Sequence, residues 1–204
     1  MGQLDRDSAE VVNLLREAVT MSGMSQAGFA RALGTSASRL STYLTGDTRP
    51  LAAFLVRAQR LGRALGEAKA RGLMSAPATA SAMRGYFLAG ETEWIWRMLL
   101  QGRDHLNAIS HETDKPLRRL LLDAWEAEPG PIGAVEWDAL FAAVVAHELE
   151  SAGLEAPTWS HRLTLTKPWI PDHPFLTPDR VRKHTPEWLS RRNIFIPAKD
   201  LVTA

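Results

Sequence analysis

The sequence contains no cysteine, and its 204 residues include no long apolar run. The absence of cysteine excludes disulfide bonds and thiolate metal sites, and it favours a reducing compartment. A membrane-spanning helix needs about 18 consecutive apolar residues, and no segment approaches that length. The polar opening MGQLDRDSAE lacks the pattern of a secretory signal. We therefore expect a cytoplasmic protein with no membrane partner.

The sequence also lacks the residue patterns of common catalytic and metal sites. His147-Glu148 begins like the zinc motif His-Glu-x-x-His, but Ser151 occupies the position of the second histidine. The other five histidines are scattered without ligand spacing, and no glycine-rich phosphate loop or Gly-x-Ser-x-Gly turn is present. These absences predict that the chain is not an enzyme and needs no metal or cofactor.

The net charge of +1 conceals an uneven distribution of charge along the chain. Residues 1–72 carry ten Lys/Arg against six Asp/Glu, and residues 160–204 carry eight against four. Between them, residues 85–159 carry five basic side chains against thirteen acidic ones. A basic first part is typical of a nucleic-acid contact, whereas the acidic middle is either a partner surface or a solvated helical face.

One stretch, SQAGFARALGTSASRLSTYLTG from Ser25 to Gly46, predicts two short helices joined by a tight turn. Ser25 and Ser36 are each placed to cap a helix with the side-chain hydroxyl. Gly34 and Gly46 end these helices, because glycine adopts the left-handed conformation without a Cβ penalty. The buried positions recur at helical spacing. They are Phe29, Ala30 and Leu33 in the first helix and Leu40, Tyr43 and Leu44 in the second.

The other side chains of the second helix are small, polar or basic, and none is acidic. A helix with such a face fits the major groove of DNA, which is about 12 Å wide. The whole stretch resembles the helix-turn-helix of the Xre family, the lambda-repressor-like DNA-binding domains. The resemblance rests on the Ser-Gln opening, the Phe-Ala-x-x-Leu-Gly turn, and the Leu-Ser-x-Tyr-Leu-x-Gly ending before Arg49-Pro50. One departure is the small size of Ala37 and Ser38, where many relatives carry long base-reading side chains.

The resemblance implies an all-α protein whose residues 1–72 form a five-helix DNA-binding domain. In such a domain Gln26 contacts phosphate, and Ser41 and Arg49 hold the DNA backbone. The residues that face base edges are Ala37, Ser38, Arg39 and Thr42. The resemblance also implies a homodimer on operator half-sites about 34 Å apart. The predicted DNA-binding residues are Gln26, Ser36, Ala37, Ser38, Arg39, Ser41, Thr42 and Arg49.

The remainder of the chain predicts a second, helical domain. Residues 73–78 are small and flexible enough to form a linker, and apolar periodicity predicts a bundle of about four helices after residue 79. From about residue 156 to 204 the sequence becomes rich in proline and aromatic residues. These large side chains either cover the apolar face of their own bundle or insert into a protein partner. The candidate partner-binding residues are Trp169, Phe175, Trp188, Arg191, Arg192, Ile194, Phe195 and Lys199.

Two functions agree with this organisation. In the first, the protein is the antitoxin of a bacterial toxin–antitoxin pair, which represses its operon through the helix-turn-helix and neutralises a toxin through its C-terminal region. In the second, it is a stand-alone Xre-type regulator whose helical domain dimerises or senses a small ligand. An apolar pocket with convergent polar groups favours the second function. A neighbouring gene for a small toxic enzyme favours the first.

Overall fold

The computed structural model describes residues 5–202. Their regular secondary structure is helical, with an isolated parallel bridge between Trp169 and Ile194, and residues 162–177 have an irregular backbone. The all-α prediction is thereby confirmed for this range. The first four residues of the polar opening segment lie outside it. Within residues 5–202, no helix is both long enough and apolar enough to cross a bilayer.

The described residues form ten α-helices. They are α1 (Arg6–Ser22), α2 (Gln26–Ala32), α3 (Ala37–Thr45), α4 (Ala52–Ala70), α5 (Ala76–Ala89), α6 (Thr92–Ser110), α7 (Lys115–Glu126), α8 (Val135–Ser151), α9 (Pro178–His184) and α10 (Glu187–Ser190). Short 3-10 turns lie at Thr158–His161 and Ala198–Leu201.

The chain divides into two compact units, each built from two separate stretches of sequence. The first change of unit, after Ala78, falls at the end of the predicted linker of residues 73–78, whereas the return to the first unit at Glu112 has no counterpart in the prediction. The first unit comprises Met1–Ala78 together with Glu112–Gly130, and the second comprises Thr79–His111 together with Pro131–Ala204. The N-terminal segment therefore supplies four helices to the first unit, α1 to α4, rather than the five that the sequence predicted. The fifth helix of this unit is α7, which the sequence interpretation placed in the second domain.

Electrostatic and apolar contacts hold α7 in the first unit. Arg60 of α4 pairs with Glu126 at 2.6 Å and with Asp123 at 3.6 Å. Burial raises the pKa of Asp123, and the nearby Arg60 guanidinium opposes that rise. Leu121 and Trp125 are 2% and 1% exposed, so the apolar side of α7 is buried at these two positions. The acidic side chains of this helix consequently serve contacts within the unit.

Helix α1 begins earlier than the sequence predicted. Asp5 caps the helix, because its Oδ1 accepts a hydrogen bond from the Ser8 N–H at 3.0 Å and its Oδ2 accepts one from the Ser8 hydroxyl at 2.7 Å. The expected cap, Ser8, instead lies in the first turn. A carboxylate three residues ahead satisfies an orphan N–H as well as a serine does, which explains the shift.

The second unit is built around α8, whose residues from Trp137 to Ala146 are buried apart from Asp138. Arg103 of α6 donates to Glu148 of α8 at 2.7 Å. Two aromatic contacts join α8 to the C-terminal segment. The ring of Trp137 meets that of Trp169 edge-on, with centroids 5.4 Å apart, and Phe141 stacks on Trp159 at 5.7 Å. Much of the C-terminal segment therefore belongs to the core of its own unit.

The close approach of α1 and α4 yields a prediction for stability. A Cβ at Gly62 of α4 would lie 2.5 Å from the backbone oxygen of Ala18, whereas a Cβ at Gly85 of α5 would meet nothing within 4 Å. Because backbone atoms cannot move aside, Gly62→Ala should lower the free energy of unfolding by about 1–3 kcal/mol. Gly85→Ala should raise it by up to about 1 kcal/mol, since alanine favours a helix.

Urea denaturation followed by circular dichroism measures both variants under the same conditions. Equal effects of the two substitutions would contradict the close packing of α1 against α4.

Candidate nucleic-acid interface

The first helix of the candidate interface, α2, is fixed at both ends by its sequence. The Gly28 N–H donates to Ser25 Oγ at 3.1 Å, so Ser25 is the N-cap that the sequence predicted. At the other end Gly34 has a φ of 69°, in the left-handed region. Phe29 and Ala30 are fully buried, which anchors α2 in the first unit.

The second helix, α3, is delimited in the same way. The Arg39 N–H donates to Ser36 Oγ at 3.2 Å, and Gly46 at the C-cap has a φ of 80°. Leu40 is 0% exposed and ties the middle of the helix to the core. The predicted caps and glycine ends of both helices are confirmed.

Neighbouring helices fix the orientation of α3. Arg16 of α1 donates from Nη2 to the Leu44 carbonyl oxygen at 3.0 Å. The ring of Tyr43 meets that of Phe54 in α4 edge-on, with centroids 5.1 Å apart. Leu40, one turn before these two contacts, is fully buried, so α3 is attached to the first unit at Leu40, Tyr43 and Leu44.

The exposed face of α3 carries the residues predicted to contact base edges. Ala37, Ser38 and Arg39 are exposed and Thr42 is half-buried, as is Ser41, which was predicted to contact the DNA backbone. The hydroxyls of Ser38 and Thr42 already have local partners, since Ser38 Oγ lies 3.1 Å from Ser36 Oγ and Thr42 Oγ1 donates to the Arg39 carbonyl oxygen at 2.9 Å. Arg39 has no ion-pair partner within residues 5–202 and is the long cationic side chain of this face.

The two flanking residues that were assigned to phosphate differ in their surroundings. Gln26 is exposed at the start of α2. Arg49 is also exposed, but its Nη2 lies 2.6 Å from Oδ2 of Asp5 in an ion pair. The hydrogen bonds from Ser8 lower the pKa of Asp5, and the Arg49 charge lowers it further. Any phosphate that Arg49 binds must therefore compete with this carboxylate.

Sequence reasoning did not identify Asp5 as part of this region. The Asp-x-x-Ser spacing at residues 5–8 could have indicated its role as a cap, because an aspartate three residues before a helical N–H is a frequent N-cap. The contact with Arg49 had no such signal, since it joins residues 44 positions apart in the sequence.

The candidate partner-binding residues fall into two groups. Several are engaged within their own unit. Trp169 exchanges backbone hydrogen bonds with the segment around Ile194, which is 0% exposed. Trp188 stacks on His147 with ring centroids 4.2 Å apart. Arg192 Nη1 donates to the Ser160 carbonyl oxygen at 2.6 Å, and burial lowers the pKa of this guanidinium.

The remaining candidates are accessible. Arg191 is exposed and pairs with Glu187 one turn before it, at 2.6 Å. Phe175, Phe195 and Lys199 line a common cavity in the second unit. The prediction of a partner surface thus narrows to this second group, because a side chain that completes its own core has little surface left for another protein.

Among residues 5–202, no three His, Asp or Glu side chains come close enough together to hold a metal ion. The chain has no match among protein-family models, among curated proteins or among solved structures. What the protein does is therefore inferred from its own residues and geometry.

The Ser36 cap yields a local prediction. Replacing Ser36 by Ala removes the acceptor for the Arg39 N–H and should destabilise α3 by about 1 kcal/mol. Hydrogen exchange measured by NMR should show faster exchange of the Arg39 amide. Ser81→Ala is the control, because Ser81 is exposed in the interior of α5. Unchanged protection of Arg39 in the Ser36 variant would show that the cap does not hold the start of α3.

Proposed function

We propose that the protein binds duplex DNA through α2 and α3, with α3 as the helix that enters the major groove. The observation that carries this proposal is the exposed start of α3. Ala37, Ser38 and Arg39 face solvent, while Leu40 directly after them is fully buried. The helix is thus fixed to the core and still accessible over its first turn, as direct base readout requires.

The dimensions and chemistry of this face suit the groove. An α-helix with its side chains is about 10–12 Å across, and the major groove is about 12 Å wide. Small side chains at residues 37 and 38 permit close approach, and the methyl group of Ala37 suits a thymine methyl. Arg39 suits guanine, whose O6 and N7 accept a bidentate pair of hydrogen bonds.

Contacts around this helix would supply orientation and affinity. Gln26, Ser41 and Arg49 are placed on α2, on α3 and in the loop after α3, from which side chains reach the phosphates that flank a groove. The nine-residue α3 reads few base pairs by itself. We therefore propose a homodimer on two half-sites separated by one or more turns of DNA, about 34 Å each.

We further propose that the protein is a transcriptional repressor that acts as an antitoxin, with the second unit binding its toxin. Two features support this role. The C-terminal segment exposes Phe175 and Lys199 beside a cavity, and it carries an excess of four positive charges over residues 160–204. Aromatic side chains are frequent anchors at protein interfaces.

The role of Arg39 is tested by affinity for a duplex selected from a random DNA pool. Arg39→Ala should weaken binding to the selected site by about 1–3 kcal/mol and relax the sequence preference at one base pair. Arg119→Ala is the control, because it removes an exposed positive charge from α7 without touching α3. An equal loss on every duplex would show that Arg39 contacts phosphate, and no loss would contradict the proposed face.

The ion pair between Arg49 and Asp5 predicts an unusual gain of affinity. Asp5→Asn keeps a good N-cap but removes the negative charge beside Arg49. The guanidinium is then available to phosphate, and affinity for all duplexes should increase, with a steeper dependence on salt. Arg49→Ala should do the reverse and reduce the slope of log affinity against log salt by about 1. Unchanged affinity in both variants would show that Arg49 does not approach DNA.

The antitoxin role is tested by expressing the full chain together with the product of the adjacent gene. The expected result is co-purification of the two proteins and relief of the growth arrest that the neighbour causes alone. If the neighbour is harmless and does not bind, whereas selected DNA still does, the protein is a stand-alone regulator.

A further inference from the structure

The turn between α2 and α3 receives a contact from a distant part of the first unit. The Glu128 N–H donates to the Ala32 carbonyl oxygen at 3.2 Å. Ala32 is the last residue of α2, whereas Glu128 follows the end of α7, and both residues belong to the first unit. The helix-turn-helix is therefore not held together by its own residues alone.

The hydrogen bonds at the end of α2 show why this contact matters. The last four carbonyl groups of an α-helix have no partner within the helix. The turn after α2 supplies N–H donors to three of them, at distances of 2.7 to 3.0 Å, and these pairs are Leu33 with Phe29, Thr35 with Ala30, and Gly34 with Arg31. The fourth carbonyl group, that of the buried Ala32, is paired with Glu128. Because a buried carbonyl without a partner is destabilising, the end of α2 depends on this donor.

The segment that supplies the donor, residues 127–130, is itself fixed in the first unit. Its first residue, Ala127, is 0% exposed, and a φ of −59° with a ψ of 125° takes the chain out of α7 at this point. Directly before it, Glu126 forms the 2.6 Å ion pair with Arg60 of α4. The segment thus leaves a buried helix in a defined direction and reaches the end of α2.

Two further contacts place this segment along the turn. A Cβ at Gly130 would lie 3.0 Å from Nη1 of Arg31, so this guanidinium in the last turn of α2 lies beside Gly130. A Cβ at Gly34 would lie 3.8 Å from Oε2 of Glu128. Residues 128–130 therefore lie against the last turn of α2 and the glycine that ends it.

The geometry of the same turn decides where α3 lies. Only residues 33–36 separate α2 from α3, and the exposed Ala37, Ser38 and Arg39 follow directly. A hydrogen bond from Arg39 to a base weakens steeply once its angle falls below about 120°. A displacement of the Ala32 carbonyl would therefore move the side chains that are proposed to contact bases.

We propose that residues 127–130 position the helix-turn-helix for base readout, with the Glu128 N–H as the positioning group. The segment acts on α2 through Ala32 and on α3 through the turn, without contacting DNA itself. The proposal rests on the proposed DNA binding by α3. It assigns part of the DNA-reading structure to residues after α7, whereas the resemblance placed the whole DNA-binding domain within residues 1–72.

The experiment compares Glu128→Pro with Glu128→Ala in the full chain. Both substitutions remove the carboxylate, but only proline removes the N–H. The ψ of 125° at Ala127 lies in the range that a residue before proline favours. Glu128→Pro should bind the duplex selected from the random pool about tenfold more weakly than Glu128→Ala, the loss expected for one disrupted base contact. Affinity for unrelated duplexes and its salt dependence should be equal in the two variants, because non-specific binding depends on charge.

The thermal midpoints of the two variants separate lost stability from lost position. Duplex binding is measured well below the lower midpoint, where both variants are folded. A segment that only stabilised the fold would lower the midpoint of Glu128→Pro and leave the ratio of selected to unrelated affinity unchanged. That result would overturn the positioning role.

Hydrogen exchange measured by NMR provides a readout that needs no DNA. The Thr35 N–H, which donates to the Ala30 carbonyl oxygen at 2.9 Å, should exchange faster in Glu128→Pro than in Glu128→Ala. Equal exchange would exclude any hold of the segment on the turn. A parent chain that selects no duplex would overturn both the proposed function and the role in base readout. A parent chain that selects a duplex, with variants that bind it equally, would overturn the positioning role alone.

Discussion

Burial of Leu40 is the constraint on which the candidate interface depends. This side chain lies inside the first unit, so any rotation or sliding of α3 would expose it to water. That exposure would cost about 1.5–3 kcal/mol of free energy. The cap at Ser36 and the bond from Arg16 to the Leu44 carbonyl oxygen then fix the two ends of the helix. A short helix gains from the core a rigidity that its own hydrogen bonds could not supply.

The local features of this region could be predicted from the sequence because they obey local rules. Serine caps, glycine ends and a helical repeat of apolar residues each act over a few positions, and the structure contains them at Ser25, Gly34, Ser36 and Gly46. The exposure of the first turn of α3 follows from the same pattern. The N-cap at Asp5 is also a local feature. The prediction missed it because Asp5 and Ser8, three positions apart, are both residues that can cap a helix.

The assignment of α7 could not be predicted in this way. Its apolar stripe, which includes Leu121 and Trp125, shows that the helix is buried but does not identify its neighbour. Its contacts join residues far apart in the sequence, such as the ion pair of Arg60 with Glu126, 66 residues further along the chain. The C-terminal segment posed the same difficulty, since Trp169 and Phe175 look alike in sequence, yet one packs on Trp137 and the other faces solvent.

The discontinuous first unit has a consequence for biosynthesis. Residues 79–111 are translated before Glu112–Gly130, so the nascent N-terminal helices must wait for a distant segment to complete their core. Burying Leu121 and Trp125 contributes about 1.5–3 kcal/mol each, a large share of the 5–15 kcal/mol that stabilises an ordinary domain. Until α7 emerges from the ribosome, the apolar surface that it covers is available to chaperones. Folding of the first unit is thereby coupled to translation of the chain as far as Gly130.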